Sequence, residues 1–98
     1  MPEITFGTRM KKWLARNPVL EDRIIQSLRF QQENDWFKVK PASRKKHHDL
    51  PVYEFRLNDP SVKALRIAFT RTEEEIHVVY ASTTLLKKAF VKELEAVL

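Results

Sequence analysis

The stretch that decides the fold is VYEFRLNDPSVKALRIAFTRTEEEIHVVYA, residues 52–81. Apolar and polar side chains alternate in three runs within it, at 52–57, 63–70 and 76–81, which is the pattern of strands with one buried face. The polar segments at 58–61 and 71–75 that separate the runs are rich in residues that favour turns. Because both connections are short, the pattern predicts an antiparallel meander of three strands.

The alternation also assigns side chains to the two faces of this sheet. The apolar set is expected to pack against helices; it comprises Tyr53, Phe55, Leu57, Leu65, Ile67, Phe69, Ile76 and Val78. Tyr80 is in phase with Ile76 and Val78, so the same rule puts it in the core. The opposite face is expected to present Glu54, Arg56, Arg66 and His77. Arginines on neighbouring strands repel each other unless an acid or a bound anion lies between them, so either a solvated network around Glu54 or an anion site is expected.

The flanking segments predict helices. Residues 3–6 have the composition of a short edge strand, and apolar residues at helical spacing follow from Thr8. Asn17 and Pro18 are suited to the N-cap and first position of a second helix, so the two form a helical hairpin. The C-terminal residues predict a last helix. The order β-α-α-β-β-β-α makes residues 1–98 a single α+β domain, with the hairpin and the C-terminal helix expected on one face of a mainly antiparallel sheet.

The positive charge of the chain is concentrated in one segment. The formal net charge is +5, and residues 36–48 contain five cations and no acid. The remaining thirteen lysines and arginines equal the thirteen acids in number. A local basic block of this kind favours a polyanionic partner, either a nucleic acid or an acidic protein, although a solvated basic loop explains the charge equally well.

Several classes of function are excluded or disfavoured. The chain has no cysteine, so disulfides and thiol chemistry are excluded, and a reducing, cytoplasmic compartment is expected. We expect neither a signal peptide nor a membrane span. His47 and His48 lack the spacing of a helical zinc pair and the chain has a single glycine, so no metal, no phosphate loop and no other cofactor is expected.

These residue types are suited to chemistry on a phosphodiester. Two guanidinium groups can bind a phosphate bidentately and stabilise the charge that develops during its transfer. Neighbouring histidines, lysines or a tyrosine supply proton transfer. Such a site supports cleavage of RNA without a metal, because the 2′-hydroxyl provides the nucleophile that DNA lacks.

The order and spacing of LPVYEFRL, LRIAF, IHVVYA and LLKKAF resemble the RelE/HigB superfamily of bacterial type II toxin–antitoxin toxins, in particular its phage-derived HigB-like branch. The resemblance covers nearly the whole chain, including the helical hairpin. It implies a compact RelE-like domain and a metal-independent mRNA endoribonuclease that acts on ribosome-bound message. It also implies a cognate antitoxin, expected to be a helix-turn-helix protein, through which alone operator DNA would be contacted.

The resemblance also assigns roles to residues. Arg56 and Arg66 match the family's two strand arginines and would bind or stabilise the scissile phosphate. His47 and His48 lie in the stretch where relatives carry basic or histidine site residues, and one of them or a neighbouring lysine would act as the base. Apart from the resemblance, the mechanism that we expect from these residue types has His77 or Tyr80 protonate the leaving oxygen. The expected RNA-binding residues are Arg44, Lys45, Lys46, Lys87 and Lys88.

The chain departs from the family pattern after its last strand. Relatives often have a histidine and an aromatic residue where this chain reads YAST, and the Lys87–Lys88 pair lies further from that strand. An alternative function is therefore a non-catalytic binding module on the same fold, either a ParE-type inhibitor of DNA gyrase or a basic RNA-binding domain.

Overall fold

The computed structural model describes residues 2–60 and 63–98, and it shows an α+β fold built on one sheet. Its elements are β1 (Glu3–Phe6), α1 (Thr8–Arg16), α2 (Pro18–Glu33), β2 (Lys40–Pro41), β3 (Tyr53–Asp59), β4 (Lys63–Arg71), β5 (Glu75–Ser82) and α3 (Lys87–Glu95). The predicted hairpin and meander are confirmed. The predicted turn at 58–61 includes position 61, which lies outside the described residues.

The sheet is mixed, with strand order β1-β5-β4-β3-β2. The meander β3-β4-β5 is antiparallel, β2 adds a two-residue antiparallel edge to β3, and β1 pairs in parallel with β5. In the β3–β4 register Arg56 lies opposite Arg66, and Glu54 lies opposite Ala68.

The helical hairpin covers one face of this sheet. Its apolar stripe packs on the side chains that the alternation assigns to the core, and the cluster includes Met10, Leu14, Leu20, Ile24, Leu28, Phe55, Leu57, Leu65, Ile67, Phe69, Ile76 and Val78. Pro18 occupies the start of α2, as expected. The Asn17 side chain does not cap that helix; it donates instead to the backbone oxygen of Trp13 at 3.0 Å.

The prediction that all helices share one face is wrong, because α3 packs on the opposite face. Phe90 and Leu94 of α3 are buried there with Val52 and Val79 from the sheet, together with Ala42 and Ala68. The small side chain of Ala68 leaves room for the helix, which therefore covers part of the face expected to be open. Among the described residues no helix has the length and apolar character needed to cross a membrane.

A β-bulge in β5 changes which residues face α3. Ala68 lies opposite Tyr80, but Phe69 lies opposite Val78, so Val79 is the extra residue. After the bulge the alternation is shifted by one position, and Tyr80 packs beside Phe90 on the α3 face. The prediction that Tyr80 belongs to the other core is therefore wrong.

Candidate phosphate-binding site

A group of cations surrounds one buried carboxylate on the α3 face. We call Lys40, Arg56, Arg66 and Lys87, with Glu54 at their centre, the cationic cluster. The Glu54 side chain is only 3% exposed. Its Oε1 accepts a hydrogen bond from Nη1 of Arg66, and its Oε2 lies 3.0 Å from Nζ of Lys87. Burying a carboxylate to this extent is costly without such charged partners.

Glu54 and the backbone fix the position of the Arg66 guanidinium. Nε of Arg66 donates to the backbone oxygen of Leu85 at 2.8 Å, while Nη1 donates to Glu54. A guanidinium has five N–H donors, so these two bonds orient the group and leave the others free. Lys87 is held similarly, because Nζ also donates to the backbone oxygen of Pro41 at 3.0 Å.

Arg56 is an exposed member of the cluster. It lies directly opposite Arg66 in the antiparallel register, and side chains of such a pair leave the sheet on the same face. Within the described chain Arg56 has no hydrogen bond or ion pair to another side chain. Lys40, the partner of Glu54 on β2, projects on this face too and is exposed. The cluster therefore carries four cations against one carboxylate, which is suited to an anion.

A second polar group lies one strand away from Arg66. Ser82 is the register partner of Arg66, and its hydroxyl donates to Oε1 of Glu93 on α3 at 2.8 Å. The Tyr80 hydroxyl donates to the same oxygen at 2.8 Å. Hydrogen bonds from Thr84, Ser82 and Tyr80 lower the pKa of Glu93, whereas burial and the bond to Glu93 raise the pKa of Tyr80. At neutral pH Glu93 is thus a carboxylate and Tyr80 retains its proton.

The histidines form a separate group. The rings of His47 and His77 stack with centroids 5.8 Å apart, and His48 meets His47 edge-on at 4.2 Å. Nδ1 of His77 lies 2.7 Å from the hydroxyl of Thr5, whose own proton goes to Glu75. His77 therefore donates through Nδ1 to this hydroxyl. Burial first, and then His48 and His77, lower the pKa of His47.

A strained turn holds His47 in this group. His47 and Leu50 exchange two backbone hydrogen bonds of 3.0 Å, and the residues between them, His48 and Asp49, have φ of 50° and 65°. Two consecutive left-handed residues are unusual when neither is glycine. No feature of the sequence indicates this turn, because it places His and Asp where asparagine and glycine are preferred.

The two groups are too far apart to act on one phosphate. His77 precedes Ser82 by five positions on β5, and Ser82 lies beside Arg66. At about 3.3 Å per residue the Cα atoms of His77 and Ser82 are separated by about 16 Å. Hydrogen bonds to Glu54 and to the backbone oxygen of Leu85 hold the Arg66 guanidinium in place. The structure thus brings together Arg56, Arg66 and Lys87 and sets His47, His48 and His77 apart from them.

The remaining predicted residues lie on exposed surface. Arg44, Lys45 and Lys46 belong to a loop that is tied to α3, because the Ser43 hydroxyl donates to Glu95 at 2.5 Å and accepts from the backbone of Lys45 at 3.0 Å. Lys88 is exposed at the start of α3. Within residues 2–60 and 63–98 no three histidine or acidic side chains are placed to share a metal ion.

Sequence reasoning did not identify Lys40 and Glu93 as site residues. Lys40 enters the cluster only through the two-residue pairing of β2 with β3, which has no alternation to reveal it. Glu93 lies at the site, beside Ser82, because α3 crosses the face that was expected to be open. Comparisons of the chain with protein-family models, curated proteins and solved structures each gave no match.

Proposed function

We propose that the chain is a metal-independent endoribonuclease that cleaves mRNA at the cationic cluster. The observation that carries the proposal is Arg56, an exposed guanidinium with no side-chain partner among the described residues, beside an Arg66 guanidinium already held by Glu54. A phosphate between the two would be bound bidentately, and Lys87 would add a third positive charge.

The cleavage follows from what RNA itself supplies. The 2′-oxygen attacks the adjacent phosphorus and loses its proton, the bond from phosphorus to the 5′-oxygen breaks, and that oxygen gains a proton. The products are a 2′,3′-cyclic phosphate and a 5′-hydroxyl. Arg56 and Arg66 stabilise the negative charge that grows on the phosphoryl oxygens in the transition state.

The proton transfers are assigned to Glu93 and Tyr80, which lie next to Ser82 on the arginine side of β5. The ionised Glu93 accepts the proton of the 2′-hydroxyl, and Tyr80 donates its own to the leaving oxygen. The proton on Glu93 then passes along their hydrogen bond to Tyr80, which restores both groups. This assignment keeps Tyr80 as the acid and replaces His47 and His48 as the base. These two rings lie with His77, whose Cα is about 16 Å along β5 from that of Ser82, the register partner of Arg66. The histidines and the basic loop 44–46 bind RNA beyond the scissile phosphate.

The resemblance to RelE/HigB toxins supplies the wider setting of this proposal. In that setting the enzyme acts in the cytoplasm on ribosome-bound message, and a helix-turn-helix antitoxin inhibits it. The second candidate is a binding module that does not cut RNA. It is favoured by one observation: Glu54 neutralises part of the charge of Arg66 and Lys87, as in a site that binds an anion without transferring it.

Primer extension on cellular mRNA after brief induction tests the proposal. The comparison includes wild type, Arg56→Ala, and Arg16→Ala as a control with the same change of charge, since Arg16 is exposed at the end of α1. The proposal predicts new breaks within translated codons for wild type and Arg16→Ala only. Growth arrest with intact message would support the binding module instead, and breaks that persist in Arg56→Ala would refute the site.

A further inference from the structure

Among the residues that the structure describes, none pairs with the outer edge of β3 over most of its length. β3 runs over seven residues, but β2 pairs only with Tyr53 and Glu54. The chain before β2 turns away towards α2, because the backbone N–H of Lys38 donates to Oε1 of Gln31 at 3.4 Å and that of Val39 to the oxygen of Trp36 at 2.9 Å. In the described chain no strand therefore continues along β3 beyond Glu54.

The backbone groups that this edge presents can be identified. Val52 accepts a hydrogen bond from Ala42 on the β2 side, at 2.8 Å. Because the direction alternates along a strand, the N–H and C=O groups of Arg56 and Asn58 also point outwards. Arg23 reaches the oxygen of Asn58 at 3.3 Å, and this is the only cover that the described residues give these groups. Such an edge is a template for an added strand.

Exposed aromatic side chains flank the edge on the helical-hairpin face. Phe30 is 54% exposed and Phe37 is 59% exposed, and their rings meet edge-to-face with centroids 6.5 Å apart. A groove between α2 and β3, lined by Gln26 and Phe30 on one side and by residues 55–58 on the other, runs beside them. Two large apolar side chains exposed together next to an open strand edge indicate an interaction surface.

The opposite side of the same edge is basic. Arg56 and Lys40 leave the sheet on the α3 face, where both are exposed. A strand added at this edge would point alternate side chains to the two faces. The side chain opposite Arg56 would meet the cations, and its neighbours would meet Phe30 and Phe37.

We infer that the β3 edge binds an extended segment of a partner protein in which acidic and apolar residues alternate. Main-chain hydrogen bonds to Arg56 and Asn58 would fix its register, and the two faces would select its side chains. A second copy of this chain fits less well, because antiparallel pairing of two β3 edges centred on Arg56 would place like charges opposite each other.

The partner segment would also neutralise Arg56. This consequence, though not the docking itself, rests on the proposed function, because an acid opposite Arg56 would compete with the RNA phosphate. Binding of the segment and binding of RNA are therefore expected to exclude each other.

The test uses the full chain and a labelled synthetic peptide in which valine alternates with glutamate. Its control has the same composition, with the valines and the glutamates in separate blocks. Fluorescence anisotropy should show binding of the alternating peptide only, and amide hydrogen exchange should show new protection at Arg56 and Asn58. Binding of both peptides alike, or no protection at these amides, would overturn the inference.

Two pairs of variants locate the interaction. Asn58→Pro removes an outward N–H without breaking a bond to β4, whereas Asn58→Ala retains this N–H. We expect the affinity for the alternating peptide to fall about tenfold in Asn58→Pro only. Phe30→Ala removes an exposed ring, and the exposed Val19→Ala on the same helix is its control. If Asn58→Pro does not fold, Phe30→Ala alone tests the docking surface. An unchanged affinity of Phe30→Ala for the alternating peptide would refute it.

Competition with a short single-stranded RNA separates this inference from the proposed function. Peptide binding at the edge without any RNA binding would uphold the docking surface and refute the endoribonuclease. If RNA is cleaved, the alternating peptide does not inhibit the cleavage and the Arg56 amide gains no protection, the endoribonuclease is upheld and the docking surface is refuted. Edge protection that instead rises with protein concentration alone would show that a second copy is the occupant.

Discussion

Replacing Glu54 by glutamine should lower stability and strengthen RNA binding at the same time. The change retains the shape of the side chain but removes the negative charge between Arg66 and Lys87. Removing one partner of a fully buried ion pair costs about 3–5 kcal/mol. Here the side chains of Arg66 and Lys87 are 21% and 47% exposed, so water solvates the two cations in part. We therefore expect a loss of about 1–3 kcal/mol in the free energy of unfolding.

The effect on RNA has the opposite sign. Without Glu54 the cations of the cluster are available to phosphates. For a single strand, each phosphate contact adds about −0.7 to the slope of log K against log salt concentration. One or two additional contacts should therefore steepen that slope by about 0.7 to 1.4.

Urea unfolding and anisotropy titrations over a series of salt concentrations measure both quantities. Asp59→Asn is the matched control, because Asp59 is another buried carboxylate, 3.3 Å from Nε of Arg23 and outside the cationic cluster. It should lower stability without changing the salt slope. An unchanged slope in Glu54→Gln, or a slope that changes equally in the control, would refute the assignment of the cluster as a phosphate site.

Three further changes test other parts of the structure. Phe90→Ala should lower the free energy of unfolding by about 3–5 kcal/mol in urea, because the ring is fully buried between α3 and the sheet; a loss below about 1 kcal/mol would contradict the packing of α3 on this face. Tyr80→Phe should cost about 1 kcal/mol through the lost bond to Glu93 and should slow RNA cleavage, so an unchanged cleavage rate would remove Tyr80 from the mechanism. Because the pKa of His47 is lowered in the folded chain, the unfolded chain is protonated at this residue at a higher pH than the folded chain. Stability should therefore fall as the pH drops below about 6.5. His47→Gln should lose less stability than wild type between pH 7.5 and 5.5 in thermal melts, and equal losses would contradict the burial of His47 against His77.

The strands and the helical hairpin are predictable because each carries its own periodicity. The alternation of Phe55 and Leu57, and of Leu65 and Ile67, depends only on which face is buried. The position of α3 is not predictable in this way, because it depends on small residues such as Ala68 that have no strong pattern of their own. The apolar spacing of Leu86, Phe90 and Leu94 begins at the N-cap of α3, where Leu86 is 78% exposed.

Part of the candidate site is predictable for the same reason. Arg56 and Arg66 come together through strand register, which alternation and short turns determine. The sequence pattern assigns Tyr80 to the wrong face of the sheet. One inserted residue, Val79, reverses the faces of the β5 side chains that follow it. The position of His47 depends on the strained turn at His48 and Asp49, which has no local sequence signal.

We propose above that Arg56 and Arg66 hold an RNA phosphate while the 2′-hydroxyl of the adjacent ribose attacks it. The most direct test incubates the purified protein with labelled RNA in a chelating buffer, and with the same oligonucleotide carrying a single 2′-deoxy position at the mapped cleavage site. We expect cleavage of the all-ribose strand by wild type and Arg16→Ala, no cleavage by Arg56→Ala, and loss of that one cut when the deoxy sugar is present. Cleavage at the deoxy position, or equal cleavage by Arg56→Ala, would contradict the proposal.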